Sequence, residues 1–83
     1  MGRTRAVDPL GVLRAAETRH EAAVVRMLDA AFAARREGTE AALAADARAL
    51  AAAERAGERE SNAWWAWQVE QRRAARAAEE EDQ

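Results

Sequence analysis

Arg35-Arg36-Glu37-Gly38-Thr39-Glu40 decides the fold. Helix-forming sequence flanks it on both sides, and a stop signal runs directly into a start signal. Gly38 can take the left-handed conformation that closes a helix. Arg35 and Arg36 stand where a preceding helix presents its negative end. Thr39 offers a hydroxyl to the first free N–H groups of a second helix, and Glu40 lies in that helix's favourable first turn. The stretch reads as the bend of a helical hairpin, with residues 37–39 as the turn.

Asp8-Pro9 is the start signal of the first helix. Aspartate caps helices, and proline suits the first helical position, where an N–H is not needed. The first helix is predicted over residues 9–36. One stripe at steps of three and four reads Leu10, Leu13, Glu17, His20, Val24, Met27, Ala31, Ala34, with Val25, Leu28 and Phe32 beside it. The second half is apolar over a wider arc than one partner helix needs. The second helix is predicted over residues 40–78, about 58 Å at 1.5 Å per residue. Its stripe reads Ala42, Ala45, Ala49, Ala52, Ala56, Ala63 and Ala66, interrupted by Arg59 and flanked by Leu43, Leu50, the tryptophans and Val69. Gly57 weakens a helix interior by up to about 1 kcal/mol relative to alanine, so residues 57–62 are the expected place for a kink or break. Residues 1–8 carry no helical periodicity before the cap and read as a flexible tail. Residues 79–83 put acid at a helix's negative end and are expected to fray.

A bend centred on Gly38 places residue 76 − i opposite residue i. Phe32 then lies near Leu43, and Val24, Val25 and Leu28 near Leu50. Leu10 and Leu13 approach Trp64 and Trp67, Glu17 faces Arg59, and His20 faces Ala56 and Gly57. The two interruptions of the first stripe meet the two of the second, a consistency across levels that supports the hairpin. The second helix overshoots the first, leaving 68–78 without an intramolecular partner.

Composition sets the bounds. Eighty-three residues make at most one domain, and a two-helix hairpin of this size buries little apolar surface by itself. There is no cysteine, so disulfides cannot supply the missing stability, which leaves oligomerisation or a metal. Alanine fills 25 positions, and all thirteen basic residues are arginine. That pattern is what GC-rich coding produces, so the arginine count is weak support for nucleic-acid binding. The net charge of −2 is opposite to that of a dedicated DNA- or RNA-binding domain. No run approaches the roughly 20 apolar residues of a membrane span, and the first eight residues do not read as a secretory signal. The expected location is cytoplasmic.

The strongest functional signal is the cluster Trp64, Trp65, Trp67. The three rings spread over about 160° at 3.6 residues per turn, and each can bury roughly 150–250 Å². One helix end cannot cover all three, so an interface with another chain is expected to take at least one, rather than all three capping the hairpin's open end. The same reasoning assigns Val25, Leu28, Phe32 and Val69 to an interface. Arg72, Arg73 and Arg76 read either as a solvated mixed-charge face, with Glu70 pairing to Arg73 and Arg76 to Glu80, or as a docking patch for an acidic partner.

Chemistry has little to work with. Glu17 and His20 form an E-x-x-H pair on one helix face, the spacing used by di-iron bundles, with Glu21, Glu54 and Glu58 near the same level. A single histidine would require several subunits to pool ligands. The plainer reading packs His20 over Gly57 and pairs Glu17 with Arg59. Ser61 stands alone, and no glycine-rich phosphate loop is present. Catalytic residues, cofactors and a metal site are therefore not expected.

Two alanine- and arginine-rich helices around a glycine turn resemble two kinds of assembly protein. One is the small co-chaperone of type III secretion needle subunits. The other is the oligomerisation hairpin of phage small terminase subunits, which form rings that hand DNA to a packaging motor. The second resemblance implies assembly and motor docking without direct DNA recognition, because only seven residues stand where a helix-turn-helix normally lies. The expectation is an all-α antiparallel two-helix hairpin, coiled-coil-like and alanine-rich, that oligomerises into a larger bundle or ring. Its predicted role is a non-enzymatic scaffold or adaptor acting on protein partners. A DNA-packaging accessory, a secretion co-chaperone and a metal-binding bundle are the alternatives.

Overall fold

The computed structural model describes residues 8–82. Two α-helices make up the architecture: α1, Pro9–Glu37, and α2, Glu40–Asp82. They fold back on each other as an antiparallel hairpin, and the molecule extends 66 Å along its longest axis. The expected tail at residues 1–7 lies outside the described residues.

The bend forms by the chemistry its sequence offers. Gly38 is left-handed at φ 60°, ψ 16°, and its N–H donates to the Ala34 carbonyl at 2.9 Å. The Ala42 N–H donates to the Thr39 hydroxyl oxygen at 3.1 Å, satisfying one of the orphan donors of the new helix. At the other end Asp8 differs from expectation. It holds the extended N-cap backbone, and its carbonyl accepts from the Val12 N–H at 2.9 Å, but its side chain makes no capping hydrogen bond. Pro9 at the first helical position has no N–H, so the helix start presents one orphan donor fewer.

Helix α2 is helical without interruption through 57–62, so Gly57 introduces no break. It also continues past Ala78, where it was expected to stop, to Asp82. Good helix formers, Ala74, Ala75, Ala77, Ala78 and Arg76, carry the helix into the acidic segment.

The buried side chains define the seam. They are Leu13, Ala16, Ala23 and Ala34 on α1, and Ala42, Ala53, Ala56 and Ala63 on α2. Adding the half-buried His20, Met27 and Ala30 gives strict steps of three and four along α1. Asp46, Ala49, Glu60 and Trp67 complete the same rhythm on α2. These are the a and d positions of a heptad repeat. The seam is rotated by one residue at alternate positions from the stripe the sequence suggested. On α1 Glu17, Val24 and Ala31 give way to Ala16, Ala23 and Ala30, and on α2 Ala45, Ala52, Arg59 and Ala66 give way to Asp46, Ala53, Glu60 and Trp67. The rotation moves Glu17 and Arg59 out to the exposed flanks and brings Asp46 and Glu60 half-buried into the seam, where Glu60 meets His20. On α1 it puts alanines in the seam, and where these meet an alanine of α2, as in the cluster of Ala23, Ala53 and Ala56, the contact permits closer packing than leucine would.

Two packed clusters result. Leu13, Ala16 and Ala63 pack with Trp67 near the open end, and Ala23, Ala53 and Ala56 pack with Met27 in the middle. Leu13–Ala63 and Ala23–Ala53 obey the 76 − i rule, and the remaining partners lie within one helical turn of it. Glu17 and Arg59 are both exposed and form no ion pair. Glu60 takes that role, with its carboxylate 2.9 Å from Nδ1 of His20.

Candidate interaction surface

An antiparallel pair has two flanks. Because the chain direction reverses, the e positions of both helices line one flank and the g positions line the other. The e flank carries Leu10 and Val24 from α1, and Leu43, Leu50 and Trp64 from α2, with Leu28 just outside it. Leu10, Leu28, Leu43, Leu50 and Trp64 are 40–54% exposed. The expected contacts, Phe32 over Leu43 and Leu28 over Leu50, do not bury these side chains. Val25 and Phe32 fall at f positions, on the edge of α1 farthest from α2, and are 57% and 56% exposed.

The tryptophans separate into three roles. Trp67 sits in the seam and is half-buried against Leu13, Ala16 and Ala63. Trp64 is on the e flank, where it lines an open groove of about 500 Å³ with Leu10, Leu13, Glu17, Glu60 and Trp67 among others. Trp65 points to the outer edge of α2. The Trp64 and Trp65 rings meet edge to face, with centroids 4.7 Å apart and planes at 83°. That contact orients two rings that the hairpin leaves largely in water.

Beyond the level of Pro9, α2 runs on alone, and every described residue from Val69 onward is exposed. Val69, Arg72, Arg73 and Arg76 line a shallow depression there. The Glu70–Arg73 pair forms at 3.2 Å, whereas Arg76 and Glu80 do not pair. An exposed pair of this kind contributes a few tenths of a kcal/mol at most.

His20 is engaged on both edges of its ring. Nδ1 meets Glu60, and Nε2 lies 3.3 Å from where a Cβ on Gly57 would sit. Among the described residues no three histidine, cysteine, aspartate or glutamate side chains converge. No described helix is long and apolar enough to cross a membrane.

The sequence pattern alone did not reveal the flank opposite the tryptophans. The g and c positions carry Arg19, Arg26, Arg36, Arg48, Arg55 and Arg59, all exposed, against Asp8 and Asp29. Among the described residues none of these arginines forms an ion pair. The signal is legible only with the correct seam. With Arg59 counted into the stripe, the arginines scatter; with Glu60 in it, they fall on one side.

The class of protein defined by this geometry is an all-α antiparallel helical hairpin with alanine-rich seam packing. No protein family, curated protein or solved structure was found to match this chain.

Proposed function

We propose that this hairpin is a non-enzymatic assembly element, a scaffold or adaptor that works by associating with further copies of itself and with a protein partner. One observation carries the reading: among the described residues ten large apolar side chains are 40–57% exposed, while seven of the eight buried side chains are alanine. Apart from Leu13, Met27 and Trp67 in the seam, most of the described bulky apolar residues that normally fill a core face outward. Contiguous exposed apolar surface marks an interaction site or an aggregation liability. Self-association removes that surface from water at roughly 25 cal/mol per Å², and it supplies what a thin, disulfide-free fold lacks.

The exposed extension of α2, with Val69, Arg72, Arg73 and Arg76, suits a second role as the contact for an acidic protein segment. Native mass spectrometry and sedimentation equilibrium at micromolar concentration test the main reading. A defined mass above that of one chain is expected. A monodisperse monomer that does not bind a dye for apolar surface would end the self-association reading.

A further inference from the structure

We propose that copies of this hairpin associate face to back, the e flank of one copy seated on the g flank of the next; the inference rests on the self-association reading above. The two flanks are complementary in both bulk and charge. The e positions hold Leu10, Val24, Leu43, Leu50 and Trp64 together with Glu17, Ala31 and Gly57, whereas the g positions hold Ala33, Ala45, Ala52 and Ala66 together with Val12, Arg19, Arg26 and Arg59. Bulky apolar side chains of α2 on one side, Leu43 and Leu50, therefore meet alanines on the other, Ala45 and Ala52, with arginines beside them.

The charges divide in the same way. Glu17, Glu21 and Glu54 stand on or beside the e flank, all exposed, with Asp46 and Glu60 at the seam beneath it and Arg14 and Arg35 towards its ends. The g flank carries the row of exposed arginines. An e position and the g position two residues later differ by only about 3 Å in height on a helix. Copies stacked in the same direction thus bring Glu17 and Glu21 to the level of Arg19, and Glu54 to that of Arg55. Leu43 then meets the level of Ala45, and Leu50 that of Ala52.

A two-fold pairing of e flank on e flank lacks this match. It would place the acidic middle of one copy against the acidic middle of its partner, and like charges across an interface disfavour it. The face spans α1 from about Leu10 to Arg35 across two helix diameters, roughly 800 Å² on each copy, which is the size of a standard stable interface. Face-to-back contact is heterologous, so it continues from copy to copy until a ring closes or a filament grows.

Two variants of exposed residues test this, with circular dichroism confirming that each remains helical. Arg19→Glu/Arg59→Glu alters the g flank alone, and Leu43→Ser/Leu50→Ser alters the e flank alone. Each by itself is expected to fall to monomer at concentrations where the native chain assembles, with association weakened at least tenfold. Mixed in equal amounts, the two are expected to form a one-to-one complex that grows no further, because each retains one intact flank. If the native chain assembles and the arginine variant keeps its full mass, the e flank is pairing with itself and the face-to-back arrangement is wrong. The arrangement is equally wrong if that variant loses only binding to a polyanion such as single-stranded DNA, which would make the arginines a nucleic-acid surface. A native chain that is monomeric at all concentrations removes the self-association reading and this one together.

Discussion

His20 bridges the seam to Glu60, with Nδ1 2.9 Å from a carboxylate oxygen, and its other edge closes over Gly57. The two contacts oppose each other in one substitution. Gly57→Ala gains up to about 1 kcal/mol of helix propensity, but the new Cβ would stand 3.3 Å from Nε2, so the imidazole must shift by a few tenths of an ångström. We expect Gly57→Ala to stabilise His20→Ala by close to the full propensity gain and the native chain by clearly less. Urea denaturation of the four variants of this cycle measures the difference. Equal gains in both backgrounds would show that the ring does not lean on Gly57. Removing Glu60 alone should cost about 0.5–1 kcal/mol, because the pair is about a third exposed.

The two helix starts differ in a way that residue types alone do not show. Thr39 and Asp8 are both good capping residues, yet only Thr39 holds a backbone N–H. Thr39→Ala is expected to lower stability by about 1 kcal/mol, within the usual range for a lost cap. Asp8→Ala should cost a few tenths at most. Gly38→Ala should cost about 1–2 kcal/mol, entirely through its left-handed backbone, since a Cβ there meets nothing within 4 Å. Gly38→Asn should recover part of that loss, because asparagine tolerates the conformation. Thermal melts at fixed protein concentration rank the three positions.

The bend and the pairing were legible because turn chemistry is local: Gly38 and Thr39 act through their own backbone and a neighbour three or four residues away. Register followed from the position of the bend alone. Which residue of each adjacent pair turns inward was not legible. In an alanine-rich helix Ala16 and Glu17, or Ala23 and Val24, give nearly the same local pattern, and the choice is made by how closely the second helix approaches. On α1 hydrophobicity favoured Val24 and packing chose Ala23, whereas on α2 the alanine stripe favoured Ala66 and packing chose Trp67. That single phase decision also hid the arginine flank, which depends on Glu60 rather than Arg59 lying inside. The spread of the tryptophans was legible, and Trp64 and Trp65 are indeed exposed, but Trp67 packs inward at an a position, in the cluster with Leu13 and Ala16.

The seam's dependence on small side chains makes Ala23 and Ala53 sensitive positions. Ala23 is 4% exposed and Ala53 6%, and both belong to the middle cluster. Leucine at either site adds volume at a buried position packed against the other helix. Overpacking of this kind costs about 1–3 kcal/mol, so Ala23→Leu and Ala53→Leu should each lower the urea midpoint. Ala22→Leu, one position round on the exposed g/c flank, should leave it within about 0.5 kcal/mol. A stabilising Ala23→Leu would mean that the helices have room to spare and that the alanine seam is not a close-packed one.

The three tryptophans should respond to alanine in different ways, because each meets a different environment. Trp67→Ala removes the large side chain that packs with Leu13, Ala16 and Ala63, and should cost the hairpin about 2 kcal/mol. Trp64→Ala empties one wall of the groove shared with Leu10 and Leu13, yet its ring is already 42% exposed. Its main effect should therefore fall on assembly, read as a lower mass in sedimentation at unchanged helicity. Trp65→Ala loses the edge-to-face contact, worth about 0.5–1.5 kcal/mol, and little else within one chain. Fluorescence of the single-substitution variants gives an independent check, since the indole that enters the interface should shift to the blue on assembly and the one that stays outside should not. If Trp65 shifts and Trp64 does not, the outer edge of α2, and not the e flank, is where the next chain binds.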